Sequence, residues 1–232
     1  MYKNIISQMK SKGINKCTIG FSTGKDSIVG LDILLKSGIK VMPFYFYICP
    51  ELDFIEKNIE LYESHFNIKV IRLPHPAIYN HLSHNDWQPF QQSLNISQTN
   101  WPNRSFIEFT RKYLESLNLE YEYIYDVNCM KMSDSLNRRL LLRNSEDINE
   151  KTKVIYLTKY FTDKNIYSYI SENNIPMTKD YEIFGRSWDG LSYHFLSGIK
   201  EFYPNDYDKI KSLFPLIDAE LFKYKLYKKH SK

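Results

Sequence analysis

Along the chain the spacing of apolar and polar positions switches between helical and strand-like, and each switch marks an element. Ile5, Ile6 and Met9 recur at helical spacing within Met1–Ser11, and Gly13 ends that segment. A short apolar strand follows over Lys16–Phe21, then a polar loop over Ser22–Ser27, then an apolar helix over Ile28–Lys36 closed by Gly38. Lys40–Ile48, rich in aromatic and β-branched residues, predicts a second strand. Asp53–Phe66 has an amphipathic helical pattern and Ile68–Leu73 reads as a third strand, with Pro74 and Pro76 breaking the chain after it. A helix is predicted over Phe106–Leu117, a strand over Tyr121–Val127 and a helix over Ser133–Leu142. A fifth strand covers Lys153–Leu157, followed by a helix over Thr162–Glu172 with Thr162 and Asp163 as capping candidates.

Strands alternating with helices predict an α/β fold, Rossmann-like, with a mostly parallel sheet flanked by helices. Two stretches depart from the alternation. Ser83–Asn103 is polar but carries Trp87, Phe90 and Trp101, and an irregular connection of that length is commonly functional or an interface. Beyond Ile175 the pattern is mixed, then helical from about Leu191, which predicts a C-terminal helical extension that covers a site or mediates assembly.

Composition narrows the classes. The 232 residues are 43% hydrophobic and 25% charged, ordinary globular usage for a chain long enough to bury a core. No apolar run reaches the roughly 18–20 residues of a membrane helix, and the N-terminus lacks a signal-peptide core, so a cytoplasmic protein without membrane contact is expected. Cys17, Cys49 and Cys129 are far apart with no CxxC pair, which excludes a four-thiolate iron–sulfur cluster and argues against a secreted disulfide framework. Net charge is +4, weak support for a nucleic-acid partner, and the basic run Lys223–Lys229 reads first as a solvated helix end. His81 and His84 stand near Asp86, a pairing that arises readily by chance.

The strongest chemical signal is Gly20-Phe-Ser22-Thr23-Gly24-Lys25-Asp26-Ser27, placed between a predicted strand and a predicted helix. Backbone N–H groups at a helix start, aided by the helix dipole, favour anions. Gly24 permits close backbone approach; Ser22, Thr23 and Ser27 add hydroxyls and Lys25 a cation. A Walker loop is excluded, because only three residues separate Gly20 from Gly24 and Asp26 follows Lys25. Asp26 in a phosphate loop is a candidate for holding Mg2+ or bracing the loop.

Ser22-Thr-Gly-Lys-Asp-Ser27 resembles the S-[GT]-G-x-D-S loop of the PP-loop ATP pyrophosphatases, and within them is most similar to the phosphoadenylyl-sulfate (PAPS) reductase-like family. A second segment, Cys129-Met-Lys131-Met-Ser-Asp134-Ser135-Leu-Asn-Arg138-Arg139, resembles that family's G-x-R-x-x-E-S-x-x-R. Lys131 stands for Arg, Asp134 for Glu and Cys129 for the leading Gly, while Ser135 and Arg138 match. A third segment, Val154–Thr158 through Ile170 to Pro176, is similar to the family's strand, helix and "IP" ending, with Asp163 or Asn165 at its acidic position.

The resemblance implies an adenine nucleotide alpha hydrolase-like domain over residues 1–178 followed by an extension over 179–232. It implies ATP and Mg2+ as ligands and cleavage between the α and β phosphates to adenylylate a substrate, in sulfur metabolism or nucleic-acid modification. In that scheme Lys25, Asp26, Lys131 and Arg138 are catalytic. Ser22, Thr23, Gly24, Ser27, Ser135 and Arg139 hold the nucleotide, joined by Glu51 or Asp53 near the ribose. Outside the resemblance, the compact polar segment Gly185–Gly190 reads as a turn or as a cover in which Arg186 binds the nucleotide or grips a sulfonate. Asp53 is equally a candidate helix cap. A PAPS reductase or sulfotransfer activity is the alternative, disfavoured because no cysteine follows Cys129. A non-catalytic nucleotide-binding regulator, or one subunit of a homodimer or mixed assembly, is a third.

Overall fold

The computed structural model describes residues 2–84, 86–99 and 105–230. It forms two compact units, one of Met1–Phe46, Tyr62–Leu73 and Ile107–Thr178, the other of Tyr47–Leu61, Pro74–Phe106 and Lys179–Lys232.

The chain opens with α1 (Tyr2–Ser11), which buries Ile5, Ile6 and Met9, and continues through β1 (Lys16–Gly20), α2 (Lys25–Lys36), β2 (Lys40–Tyr47), α3 (Asp53–Phe66) and β3 (Ile71–Pro74). After α4 (Ile78–Ser83) and α5 (Phe90–Ser97) come α6 (Phe106–Ser116), β4 (Tyr125–Asn128), α7 (Leu136–Arg143), β5 (Ile148–Asn149), β6 (Val154–Tyr156) and α8 (Asp163–Glu172). The remainder is helical: α9 (Asp180–Phe184), α10 (Tyr193–Phe202), α11 (Pro204–Leu213) and α12 (Asp218–His230).

The six strands lie in the order β3-β2-β1-β4-β6-β5. β1 pairs in parallel with β2 and with β4, and β4 with β6, while β5 pairs antiparallel with β6. The sheet is therefore α/β and mostly parallel, as the alternation predicts. The chain winds outward from β1 to β3 on one side and from β4 to β6 on the other. The order reverses between β1 and β4, and in such sheets ligands bind outside the carboxyl ends of the strands at that reversal. Central strands buried on both faces need apolar runs, and Cys17, Ile19, Val127 and Ile155 supply them.

Several boundaries differ from the sequence pattern for local reasons. α2 starts at Lys25 rather than Ile28, because Ile28 N–H already reaches Gly24 C=O at 3.0 Å. β3 starts late because residues 68–70 close α3: Ile68 N–H bonds Glu63 C=O and Val70 N–H bonds the Glu63 carboxylate at 2.8 Å. β4 starts at Tyr125 because the carbonyls of Tyr123 and Ile124 accept from the Arg111 guanidinium. The predicted loop over Ser83–Asn103 contains α5, whose Phe90 and Leu94 are exposed and so leave no buried stripe to read; Trp101 and Asn103 lie outside the described residues. The edge strand β5, only two residues long, has no sequence counterpart in the prediction.

In the second unit Trp87 packs edge-on against Phe214 while its carbonyl accepts from Leu216 N–H at 2.9 Å. Phe54 stacks on Tyr203 and meets Trp188 edge-on. The buried Asp206 carboxylate accepts from Asp53 N–H at 2.8 Å and Phe54 N–H at 3.0 Å, so the first amides of α3 are capped by a residue of α11. Among the described residues no helix is long and apolar enough to cross a membrane.

Candidate functional site

Residues 21–24 leave β1 at the point where the strand order reverses, and α2 begins directly after them. Gly24 is the helix N-cap, extended at φ −81°, ψ 151°, and makes no side-chain cap. The left-handed turn falls one residue earlier, on Thr23 at φ 56°. A β-branched residue there is strained, on the order of 1–3 kcal/mol, a cost that concentrates in functional loops. Burial holds it: Thr23 is 1% exposed. Inside the loop Ser27 Oγ donates to Gly24 C=O at 2.8 Å and lies 3.3 Å from Ser22 Oγ, while Gly24 N–H reaches Ser22 Oγ at 3.4 Å. The hydroxyls are thus gathered at the start of a helix of 12 residues, whose dipole adds to their attraction for an anion.

The segment after β4 is anchored before it reaches α7. Met130 N–H bonds the Asn128 side chain, Met132 N–H bonds Lys159 C=O at 3.0 Å, and Ser133 Oγ donates to Phe161 C=O at 3.0 Å. Ser135 is the N-cap of α7 and accepts from Arg138 N–H at 3.1 Å. Cys129, which replaces the small residue of the resembled motif, is accommodated across from Gly30 of α2. A Cβ at position 30 would stand 2.4 Å from the Cys129 sulfur.

These two segments meet through charge. Lys131, fully buried, places its ammonium 2.6 Å from Asp26 Oδ1, 2.8 Å from Asp134 Oδ1 and 3.4 Å from Asp163 Oδ1. Lys25 lies 3.3 Å from the same Asp163 oxygen and 3.6 Å from Asp26 Oδ2. Arg138 pairs with Asp134 at 2.7 Å. Burial works against the charged form of Lys131, but Asp134 and Asp26 outweigh it and hold the ammonium above its usual range. Burial likewise acts to raise the Asp134 carboxyl, and Lys131 and Arg138 bring it below the ordinary carboxylate value. Three cations and three carboxylates from the starts of α2, α7 and α8 thus form one network within the first unit.

Of the predicted residues, Ser22, Thr23, Gly24, Lys25, Asp26, Ser27, Lys131, Ser135 and Arg138 belong to these loops, and Arg139 sits beside them with Nε 3.4 Å from Met132 C=O. Lys131, expected as a catalytic cation, is buried and paired with Asp26, Asp134 and Asp163. Asp163, expected as a cap or as the acidic position of the resembled segment, is drawn into the network, while Thr162 provides the α8 cap in a reciprocal box with Asn165. The signal for Asp163 was its place just after a strand, at the first residue of a helix. Glu51, Asp53 and Arg186 belong to the second unit. Asp53 is the first residue of α3 and pairs with Lys209 at 2.6 Å, Glu51 C=O accepts from Lys209, and Arg186 pairs with Asp189 after the left-handed Gly185. His81 pairs with Asp86 at 3.0 Å, and among the described residues no group of three or more His, Cys, Asp or Glu is poised around a metal position.

The thiols bear on the reductase alternative. Burial is the first cause that pushes Cys17, Cys49 and Cys129 up, Cys49 to about 11, away from the thiolate that nucleophilic attack on sulfur requires.

No family model matches the sequence, and no curated protein sequence matches it. Among solved structures, the chain is similar to an NH3-dependent NAD synthetase from Campylobacter jejuni at 14% identity, covering 96% of this chain and 90% of that one with a TM-score of 0.44. It is also similar to an NMN synthetase from Francisella tularensis at 11% identity, covering 90% and 93%, with a TM-score of 0.46. The α/β assignment stands on the strand order and register of this chain itself.

Proposed function

We propose that the first unit is a PP-loop nucleotide site that binds ATP and adenylylates a substrate by cleavage between the α and β phosphates. One observation carries the reading: the Ser22–Ser27 loop lies at the sheet reversal, and its Lys25 meets Lys131 at the Asp163 carboxylate. In this reading the hydroxyl of Ser22, the Ser27 side chain that braces the turn through Gly24 C=O, and the amides opening α2 hold a leaving pyrophosphate in line with the attacked phosphorus. Lys25 and Lys131 balance the charge that develops on the leaving oxygens, and the desolvated setting of Lys131 strengthens that effect. Arg138 supports Lys131 through Asp134.

The donor set fits a divalent cation: Asp26 offers hard carboxylate oxygens beside the loop, and Mg2+ bound with a nucleotide needs only one or two such carboxylates plus phosphates and water. Such an ion, when bound, supplies charge neutralisation between the phosphates. The acceptor in this reading belongs to sulfur metabolism or nucleic-acid modification.

Calorimetric titration of wild type and Asp26→Ala with ATP and Mg2+, and separately with 3′-phosphoadenylyl sulfate, tests the reading. Preference for ATP, weakened in the variant, supports adenylylation and leads to pyrophosphate release as the assay for acceptors. Preference for the sulfonucleotide favours the reductase alternative, and binding of neither overturns the catalytic reading.

A further inference from the structure

Asp163 differs from the other two carboxylates of the network in a way that bears on ligand entry. Its side chain is 64% exposed, against 27% for Asp26 and 16% for Asp134. A single oxygen, Oδ1, bridges the two ammonium groups, at 3.3 Å from Lys25 and 3.4 Å from Lys131. That is the arrangement in which a terminal phosphate oxygen is held by two lysines that come from different loops.

The other contacts of these lysines survive its departure. Lys131 keeps Asp26 and Asp134 at 2.6 and 2.8 Å, and Lys25 keeps Asp26. The backbone of Asp163 is fixed by the Thr162–Asn165 capping box, so a rotation of its short side chain is enough to vacate the position. A carboxylate at the first residue of α8 also stays favourably placed by the helix dipole after it lets go. The lysines hold its carboxyl below the usual range although partial burial acts to raise it, so at neutral pH it is a full negative charge.

We propose that Asp163 is an intramolecular competitor for the anion site, occupying the position of a phosphate oxygen between Lys25 and Lys131 and yielding it when a polyphosphate binds. This deepens, and rests on, the nucleotide reading above. The device weakens binding of every phosphate and favours ligands with enough charge to displace a carboxylate. Exposed ion pairs are weak, so the competitor lowers affinity by about two- to fivefold.

The experiment is calorimetric titration of magnesium pyrophosphate and of ATP with Mg2+ into wild type, Asp163→Asn and Asp163→Ala, with thermal melts to confirm folding. The alanine variant guards against the new amide donating to phosphate. Tighter binding of both ligands by both variants, about two- to fivefold, is the expected result. Unchanged or weaker binding in the variants, with wild type still binding ATP, overturns the competitor role and leaves the nucleotide reading intact. Tighter binding by Asp163→Asn alone assigns the effect to the amide and also overturns it. Binding of neither ligand by any form removes both.

Discussion

Replacing Lys131 with Met keeps much of its volume and removes the charge that three carboxylates share. The ammonium is wholly buried, so no water takes its place at Asp26, Asp134 and Asp163 without rearrangement. Removing one partner of a buried ion pair costs about 3–5 kcal/mol. Here the carboxylates keep some solvent, 27% and 16% for the two nearest, which brings the expected loss below that range, to about 2–3 kcal/mol. Urea unfolding followed by far-UV circular dichroism reads it. Trp87 and Trp188, the tryptophans among the described residues, fall in the segments of the second unit, so their fluorescence would follow the wrong part of the chain. The pH dependence supplies a check on cause. In wild type Asp134 titrates below its unfolded value, so its contribution is complete above about pH 4 and fades as the pH falls further. In Lys131→Met, Asp134 and Asp163 lose a counter-charge and are easier to protonate, so acid relieves the variant. The gap between the two proteins should therefore narrow from pH 7 to pH 4. A loss below about 0.5 kcal/mol, the ordinary range of a surface change, or a gap independent of pH, refutes the role of Lys131 as the central cation.

Gly30→Ala should destabilise by about 1–3 kcal/mol through overpacking against the Cys129 sulfur, despite the better helix propensity of alanine. Adding Cys129→Ala should restore stability, a coupling that a double-mutant cycle in urea measures directly. Asp126, raised to about 6 first by burial and opposed by the hydroxyl of Thr18 at 2.7 Å, should make wild type less stable as the pH rises from about 4 to 6 and beyond. The sign follows because the folded state binds the proton more tightly, and the loss reaches at most about 3 kcal/mol. Melting temperatures at pH 5 and 7.5 should show Asp126→Asn with the smaller difference.

What was legible in the sequence follows from which forces are local. β1, β2 and α3 were readable because each carries its own periodic apolar pattern, and the Ser22–Ser27 loop because its residues are contiguous. Local periodicity does not encode the setting of Lys131. Its three carboxylates come from Asp26, Asp134 and Asp163, two of them far away along the chain, and only the parallel winding of the sheet brings them together. The left-handed turn at Thr23 was hidden for a related reason: Gly24 is the residue that such a turn would favour, and burial of Thr23 overrides that preference. β5 and α5 were missed because one is two residues long and the other buries little of its apolar surface.

The cap that Asp206 places on the start of α3 also sets an order of events during synthesis. Asp53 leaves the ribosome 153 residues before the carboxylate that satisfies its amide. At about 5–20 residues per second the interval is roughly 8–30 s. During that time the first turn of α3 has only water for its leading N–H groups, while the pairing of β1 with β2 requires nothing beyond residue 47. The nascent chain thus acquires the strand that precedes the Ser22–Ser27 loop early and completes the start of α3 late, which leaves the first turn of α3 open to chaperones and proteases while translation is under way.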